Sequence, residues 1–235
     1  MNLFDSTIID FINHFSRLSW TIDLTVNFIS RNLLVKGGVL VTIFWWGWFK
    51  ANKNQAYIRV HMISTLFSCF IAMILARALA LLLPFRLRPL NEKDLDFLLP
   101  YGVRPTVFES WSSFPSDHAV LFYALSTGMV FISKRVGIIA LVYTSLFISL
   151  PRVYLGLHYP TDIIGGALSG IIIVLLCHTT TFTEKISQPV LNWSGSKPKI
   201  FFLVLFIITY QIADMFNNSR DFIGFLKKIF QAIFT

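Results

Sequence analysis

The sequence predicts an all-α integral membrane protein, a bundle of six transmembrane helices with interfacial amphipathic helices at its N- and C-termini. This fold class is predicted by three observations: the composition, six long apolar segments and two amphipathic ends. Of the 235 residues, 55% are hydrophobic and 14% are charged, whereas a soluble domain usually carries about 25% charged residues. Mean hydropathy is +0.66. This composition excludes disordered and fibrous chains and almost any soluble domain.

Six apolar segments approach the roughly 20 residues that a spanning helix needs. We expect them at about residues 33–49, 60–83, 118–133, 136–155, 161–178 and 200–215. Residues 1–30 and 219–235 mix apolar and polar positions, which is typical of amphipathic helices at a membrane surface. We expect residues 1–235 to form a single domain.

Basic residues mark one side of the predicted bundle. The loops between spans one and two, three and four, and five and six contain Lys50, Lys53, Arg59, Lys134, Arg135, Lys185, Lys197 and Lys199. The positive-inside rule assigns these loops to the cytoplasm. The long loop 84–117 then faces away from the cytoplasm. We interpret the net charge of +8 as topogenic charge and contact with anionic membrane lipids, and not as a nucleic-acid surface.

Three short polar stretches fall on this non-cytoplasmic side. The first contains Arg77, Arg86 and Arg88; the second contains Ser116 and His118; the third contains Arg152, His158 and Asp162. Each alone also fits a simpler interpretation: a snorkelling arginine, a serine helix cap, or an interfacial histidine. An arginine facing lipid costs at least about 2.5 kcal/mol, so Arg77 is expected to face the bundle interior or a wet cavity.

Together the three stretches predict a phosphate site. Arginine guanidinium groups match phosphate oxygens, and a helix that begins at Ser116 offers free N–H groups to an anion. Two histidines suit a nucleophile and a general acid. Asp162 can accept a bond from one imidazole nitrogen of His158 and leave the other free to attack. The cluster therefore predicts covalent phosphoryl transfer from a lipid.

These residues also carry a specific resemblance. The chain resembles the type 2 phosphatidic acid phosphatase superfamily, which has a basic residue ahead of Arg-Pro, then Pro-Ser-Gly-His, then Ser-Arg, five residues, His, three residues and Asp. The corresponding residues here are Arg88-Pro89, Pro115-Ser116-Asp117-His118, Arg152, His158 and Asp162. The order of motifs and spans is similar to a six-helix member over about residues 30 to 220.

The resemblance implies the role of each residue. His158 would be the nucleophile that forms a phosphohistidine, Asp162 would orient and polarise it, and His118 would protonate the leaving oxygen. Arg88, Arg152 and Ser116 would hold the phosphate. The family needs no metal ion, so no metal site and no cofactor are expected.

Three positions depart from the family pattern. Asp117 replaces glycine, and we expect it to turn away from the phosphate or to pair with an arginine. Pro151 replaces the serine before Arg152. Leu81 stands where the family has a lysine, and we assign Arg77 and Arg86 as its substitutes in phosphate binding.

The resulting hypothesis is a phosphatase of a lipid phosphate or diphosphate in the bacterial inner (cytoplasmic) membrane, with its site facing the periplasm or exterior. Undecaprenyl diphosphate is the favoured substrate. Phosphatidylglycerophosphate, phosphatidic acid and lipid A phosphates remain alternatives, as does a lipid phosphotransferase. A different class, an anion transporter or channel, would be expected to show paired broken helices. The sequence predicts no oligomeric state.

Overall fold

The computed structural model describes residues 2–51, 53–104 and 111–234, with side chains described up to residue 231. Helices make up most of this part of the chain, and no strand occurs in it. Residues 105–110 of the predicted loop 84–117 lie outside the described residues, as do Met1 and Thr235 of the predicted terminal segments.

All six predicted spans are helical. Within the described residues the helices are α1 (Leu3–Asn13), α2 (Trp20–Arg31), α3 (Leu34–Phe49), α4 (Gln55–Leu82), α5 (Asp117–Met129), α6 (Lys134–Tyr154), α7 (Pro160–Cys177), α8 (180–196), α9 (Pro198–Ala213) and α10 (Asn217–Phe234). The predicted spans correspond to α3, α4, α5, α6, α7 and α9. Helix α8 lies where only a loop was expected.

Length and composition alone support three to five spans among the described residues. Helices α4, α6 and α7 are each long and apolar enough to cross a membrane. Two further candidates are bent pairs, α2 with α3 at 64° and α9 with α10 at 90°. Helix α5 has 13 residues, or about 20 Å at 1.5 Å per residue, which is less than the roughly 30 Å of bilayer hydrocarbon.

Helix α5 is the centre of the bundle and packs between α4 and α7. Gly166 and Gly170, four residues apart on α7, face it. A Cβ at Gly170 would lie 2.4 Å from the Val120 carbonyl oxygen, and one at Gly166 would lie 2.9 Å from the Ala119 Cβ. This small-residue spacing lets helix backbones approach closely. It holds the first turns of α5 and α7 side by side.

Four helix ends therefore meet at one end of the bundle: the last turns of α4 and α6 and the first turns of α5 and α7. Helices α1 and α2 cover this end. Ile9 of α1 is buried in an apolar cluster with Ala119, Val153 and Ile163. The predicted amphipathic segment 1–30 is thus two helices packed on the bundle.

Candidate active site

A cavity of about 390 Å³ opens among these helix ends. Its polar lining includes Arg77, Arg88, Asp117, His118, Arg152 and His158. Part of its rim is apolar and includes Leu81 and Phe85, which are 78% and 57% exposed. The three polar stretches of the sequence thus meet around one cavity, and Ser116, Arg86 and Asp162 lie next to its lining.

The His158 imidazole is held in one tautomer. Its Nδ1 lies 2.8 Å from the carbonyl oxygen of Ser113, and because a carbonyl only accepts, Nδ1 carries the proton. Its Nε2 lies 3.3 Å from Nη1 of Arg88, which only donates, so Nε2 is the unprotonated nitrogen. Burial lowers the pKa of His158 below its ordinary value of 6.5, assisted by the positive charge of Arg88 and opposed by Asp162. A neutral imidazole therefore presents a lone pair at the cavity.

Asp162 supports His158 indirectly. Its Oδ2 lies 3.7 Å from His158 Nδ1, which is longer than a hydrogen bond. The same oxygen accepts from the Ser113 hydroxyl at 2.5 Å and from the Tyr159 N–H at 2.8 Å. The direct bond expected between His158 and Asp162 is thus replaced by one to the Ser113 carbonyl, because Asp162 closes the first turn of α7.

Arg86 is not among the residues lining the cavity, contrary to its assignment as a phosphate ligand. Its Nη1 donates to Asp162 Oδ1 at 2.6 Å and its Nη2 donates to Asp5 Oδ2 at 2.7 Å. Asp5 also accepts from the N–H and hydroxyl of Thr161 at 3.0 and 2.6 Å. Both ends of the guanidinium are occupied by buried carboxylates. Arg86 therefore holds Asp162 through Oδ1, the oxygen that does not contact Ser113.

Arg88 is buried and lines the cavity. Nη1 donates to the Leu157 carbonyl oxygen at 2.6 Å, and Nε donates to the Trp111 carbonyl oxygen at 3.4 Å. Burial lowers its pKa to about 10, opposed by Asp117 and Asp162. The guanidinium therefore stays charged at neutral pH and is fixed beside the His158 Nε2.

Arg152 and His118 form a second pair across the cavity. Nη2 of Arg152 lies 2.5 Å from Nε2 of His118 and donates to the Ser30 carbonyl oxygen at 2.9 Å. Since a guanidinium only donates, His118 Nε2 is an acceptor in this arrangement. The imidazole expected to act as the acid is neutral here, with its proton on Nδ1.

Ser116 begins α5 as its cap. Its hydroxyl accepts from the Ala119 N–H at 3.4 Å, and its own N–H donates to the Asp162 carbonyl oxygen at 3.3 Å. The amides of Asp117 and His118 make no hydrogen bond within the described part of the chain. They lie in the first turn of a helix, where N–H groups and the helix dipole favour an anion. The serine side chain itself shapes the helix start and is not part of the cavity lining.

Arg77 and Asp117 form an ion pair at 2.9 Å. Pairing with an arginine was one of the two arrangements expected for Asp117. The Arg77 guanidinium also stacks over the Trp111 ring, 4.6 Å from its centroid, and Arg220 lies 5.7 Å from the same centroid. Arg77 is therefore a cavity cation whose charge is partly balanced by Asp117.

Several residues of the site carry no recognisable signal in the sequence. Ser113 acts through a backbone carbonyl, which any residue has. Asp5 and Arg220 belong to the terminal helices, and their sequence positions indicate only the polar face of an amphipathic helix. Lys36 lies near the site at the start of α3 but looks like an ordinary interfacial lysine.

The chain is similar to known proteins. The PAP2 superfamily model matches residues 61–186, more than half of the chain. Undecaprenyl-diphosphatase BcrC of Bacillus subtilis (strain 168) is 26% identical over 166 residues, which cover 70% of this chain and 78% of that protein. Lipid A 1-diphosphate synthase of Escherichia coli (strain K12) is 32% identical over 161 residues, covering 66% and 65%.

A solved structure is also similar. The crystal structure of a transmembrane PAP2-type phosphatidylglycerolphosphate phosphatase from Bacillus subtilis superposes with a TM-score of 0.51 at 26% identity, covering 77% of this chain and 85% of that one. The matched residues 61–186 include all three polar stretches, from Arg77 to Asp162. The resemblance inferred from the motifs is confirmed, and the chain belongs to the PAP2 superfamily.

Proposed function

We propose that this protein is an integral membrane phosphatase that hydrolyses a lipid phosphate or diphosphate through a phosphohistidine intermediate on His158. One observation carries the proposal: the unprotonated Nε2 of His158 lies at a cavity beside Arg88, while its Nδ1 is fixed by Ser113. A nucleophile with a defined lone pair next to a buried cation suits attack on phosphorus.

The reaction has two steps. In the first, the Nε2 lone pair forms a bond to phosphorus, the bond from phosphorus to the leaving oxygen breaks, and His118 protonates that oxygen. In the second, water attacks phosphorus, the bond from phosphorus to His158 Nε2 breaks, and inorganic phosphate leaves, while His118 takes a proton from the water and is again protonated for the next cycle. His118 Nε2 accepts from Arg152 in this structure. Before that nitrogen can donate, the guanidinium must turn toward the phosphate and the nitrogen must take up a proton from solvent or from the acidic form of the substrate phosphate.

Charge on the phosphate is met by the protein itself. Arg88 and Arg152 are buried cations, and the first turn of α5 adds N–H groups directed at the same place. Such preorganised donors stabilise charge that develops in the transition state. We infer that the reaction needs neither a metal ion nor another cofactor.

We propose that the whole chain, 1–235, is one membrane domain that crosses the bilayer six times. Helix α5, with 13 residues, would be the sixth and shortest crossing, and α4, α6 and α7 pack against it. The loop 84–117 and the active site would face the periplasm or exterior of a bacterial inner membrane, since the basic loops lie at the other end. The terminal segments 1–30 and 219–235 would lie at the membrane interface.

Undecaprenyl diphosphate is the proposed substrate. The name of the BcrC relative supports it, and the exposed apolar side chains of Leu81 and Phe85 at the cavity suit a lipid substrate. A site that faces away from the cytoplasm suits recycling of a carrier lipid. Phosphatidylglycerophosphate, phosphatidic acid and lipid A phosphates are the other substrates to compare. The relative named lipid A 1-diphosphate synthase makes transfer to a lipid acceptor the second candidate.

The test is phosphate release from this panel of lipids by the full chain in detergent. His158→Ala is the inactive control, and His14→Ala, at an exposed position, is the matched histidine control. We expect hydrolysis by the wild type and by His14→Ala and none by His158→Ala. Equal rates for all three proteins would refute the function. Phosphate appearing on an added lipid acceptor instead of in solution would identify a transferase.

A further inference from the structure

A second cavity of about 350 Å³ adjoins the active site. Arg152, His118 and Asn217 line both cavities, whereas His158 lines only the first. The remaining lining of the second cavity includes two more cations, Arg31 and Lys36. The Arg152–His118 pair is therefore the boundary between a chamber that contains the nucleophile and a basic chamber beyond it.

This second chamber contains buried polar groups that the protein does not satisfy. Lys36 is 6% exposed, and its side-chain ammonium makes no hydrogen bond or ion pair within the described part of the chain. Nε of Arg152 and Oγ of Ser30 are likewise buried without a hydrogen-bond partner among the described residues. The Asp214 carboxylate acts on Lys36 only through its charge, without a hydrogen bond or ion pair to it, and accepts from the Asn218 N–H at 2.7 Å.

A buried unpaired ammonium is costly because it has lost its water without gaining an anion. Lys36 and Arg152 offer two positive charges on the same chamber, and Ser30 adds a hydroxyl donor. A phosphate dianion matches both the charge and the number of donors. A carboxylate would leave one of the cations unmatched.

We infer that this chamber is a second phosphate-binding site, which takes a phosphate group other than the one bonded to His158. The inference rests on the proposed lipid phosphatase function. Two sources have this chemistry: the lipid-proximal phosphate of a diphosphate substrate, and the inorganic phosphate released after hydrolysis. In either case Lys36 supplies the charge that Arg152, shared with the first chamber, cannot supply alone.

For a diphosphate substrate the charge balance is explicit. His158 Nε2 bonds to the terminal phosphorus, and the bond from that phosphorus to the bridging oxygen breaks. The electron pair stays on the lipid monophosphate, whose charge becomes more negative next to Lys36 and Arg152. Such a leaving group needs little protonation, which agrees with a His118 whose Nε2 is occupied by Arg152.

The test compares farnesyl diphosphate with farnesyl phosphate, two detergent-soluble probes with the same tail. Lys36→Met is the test variant, and Lys199→Met, at an exposed position of α9, is the matched control. If the chamber takes the substrate's second phosphate, Lys36→Met lowers the diphosphate-to-monophosphate ratio of kcat/KM about tenfold, the effect of one lost bond to a charged group. Lys199→Met leaves the ratio unchanged.

A second arm measures inhibition by orthophosphate with farnesyl phosphate as substrate. If the chamber takes released phosphate, Lys36→Met raises the inhibition constant about tenfold and leaves the substrate ratio unchanged. Size-exclusion chromatography shows whether Lys36→Met folds. If it does not, Arg31→Gln, at an exposed helix end, replaces it and is expected to change the same quantities in the same direction.

The outcomes separate the two proposals. In one outcome the wild type is active, while folded Lys36→Met changes both the diphosphate-to-monophosphate ratio of kcat/KM and the inhibition constant by less than twofold. That result, or the same result with Arg31→Gln where it replaces Lys36→Met, overturns the second site and leaves the phosphatase function intact. A wild type that hydrolyses neither farnesyl compound nor any other lipid phosphate refutes the function, and the second site with it.

Discussion

The carbonyl oxygen of Ser113 lies 2.8 Å from Nδ1 of His158. This single contact determines which imidazole nitrogen is free, because a carbonyl accepts only from a protonated nitrogen. The Ser113 side chain meanwhile donates to Asp162. One loop residue therefore connects the proposed nucleophile to the carboxylate that the family motif associates with it.

The two histidines are expected to differ in their dependence on the leaving group. His158→Ala removes the atom that bonds phosphorus, so turnover should collapse on every substrate. His118→Ala removes a proton donor, a loss of roughly 10²–10⁴-fold on a lipid alkoxide leaving group. An activated aryl phosphate, which leaves as a stable anion, should be affected much less. Initial rates of both variants on the two substrates test this.

Substrate should still bind to either variant, because Arg88 and Arg152 remain. Near wild-type hydrolysis of lipid phosphate by both variants would contradict the phosphohistidine mechanism. Anion binding without any turnover in the wild type would favour the transporter or channel class instead.

The pH profile should reflect the lowered pKa of His158. Only the neutral imidazole attacks, and burial favours the neutral form. Activity should therefore persist as the pH falls through 6.5 and should decline only below that value. The plot of kcat/KM against pH reports the ionisations of the free enzyme and the free substrate. Two substrates whose phosphates differ in pKa are compared, and a limb that stays at the same pH for both belongs to the protein. A shared acid limb centred above 6.5 would contradict the assignment.

Chelators should leave the activity unchanged. Arg88, Arg152 and the first turn of α5 supply the positive potential that a divalent ion would otherwise provide. Phosphate release in detergent with excess EDTA should stay within about twofold of the untreated rate. Loss of activity that an added divalent ion restores would show that a metal takes part.

Gly170→Ala should destabilise the bundle. Its new Cβ would lie 2.4 Å from the Val120 carbonyl oxygen and 3.0 Å from the Ala124 nitrogen, and backbone atoms cannot move aside cheaply. Overpacking of this kind costs about 1–3 kcal/mol. Gly195→Ala is the matched control, because a Cβ there meets nothing within 4 Å. Thermal unfolding in detergent should show a lower midpoint for Gly170→Ala only.

Labelling should identify the side of the membrane that the site faces. Lys93→Cys lies in the loop 84–117, and Lys199→Cys lies at the start of α9, at exposed positions. The native Cys69 and Cys177 are free but buried, so their background labelling should be low. A membrane-impermeant maleimide added to intact cells should label Lys93→Cys. Preferential labelling of Lys199→Cys would reverse the proposed topology.

Apolar runs were enough to predict the helices but not how they end. All six predicted segments are helical, because a long apolar run between polar loops can adopt few other structures in a membrane protein. The 64° bend between α2 and α3 and the 90° bend between α9 and α10 depend on packing between distant segments. Helix α8 was missed because its sequence is mixed and polar.

The proximity of four candidate residues could be predicted from motifs that have a fixed spacing. Arg88, His118, Arg152 and His158 belong to such motifs, and they share one cavity. Arg86 is close in sequence to Arg88, yet its guanidinium is bound to Asp5 and Asp162. Proximity along the chain could not reveal this pairing, because Asp5 is 81 positions from Arg86 and Asp162 is 76 positions from it.

The bond network of Asp5 also constrains the order of assembly. Asp5 is near the beginning of the chain, but its partners are Arg86 and Thr161. During synthesis its carboxylate cannot have both partners until the ribosome has passed residue 161. The first helix to be made therefore completes its polar contacts only after the beginning of α7 has been synthesised, so the support of Asp162 through Arg86 and Asp5 joins the two ends of the synthesis of the site.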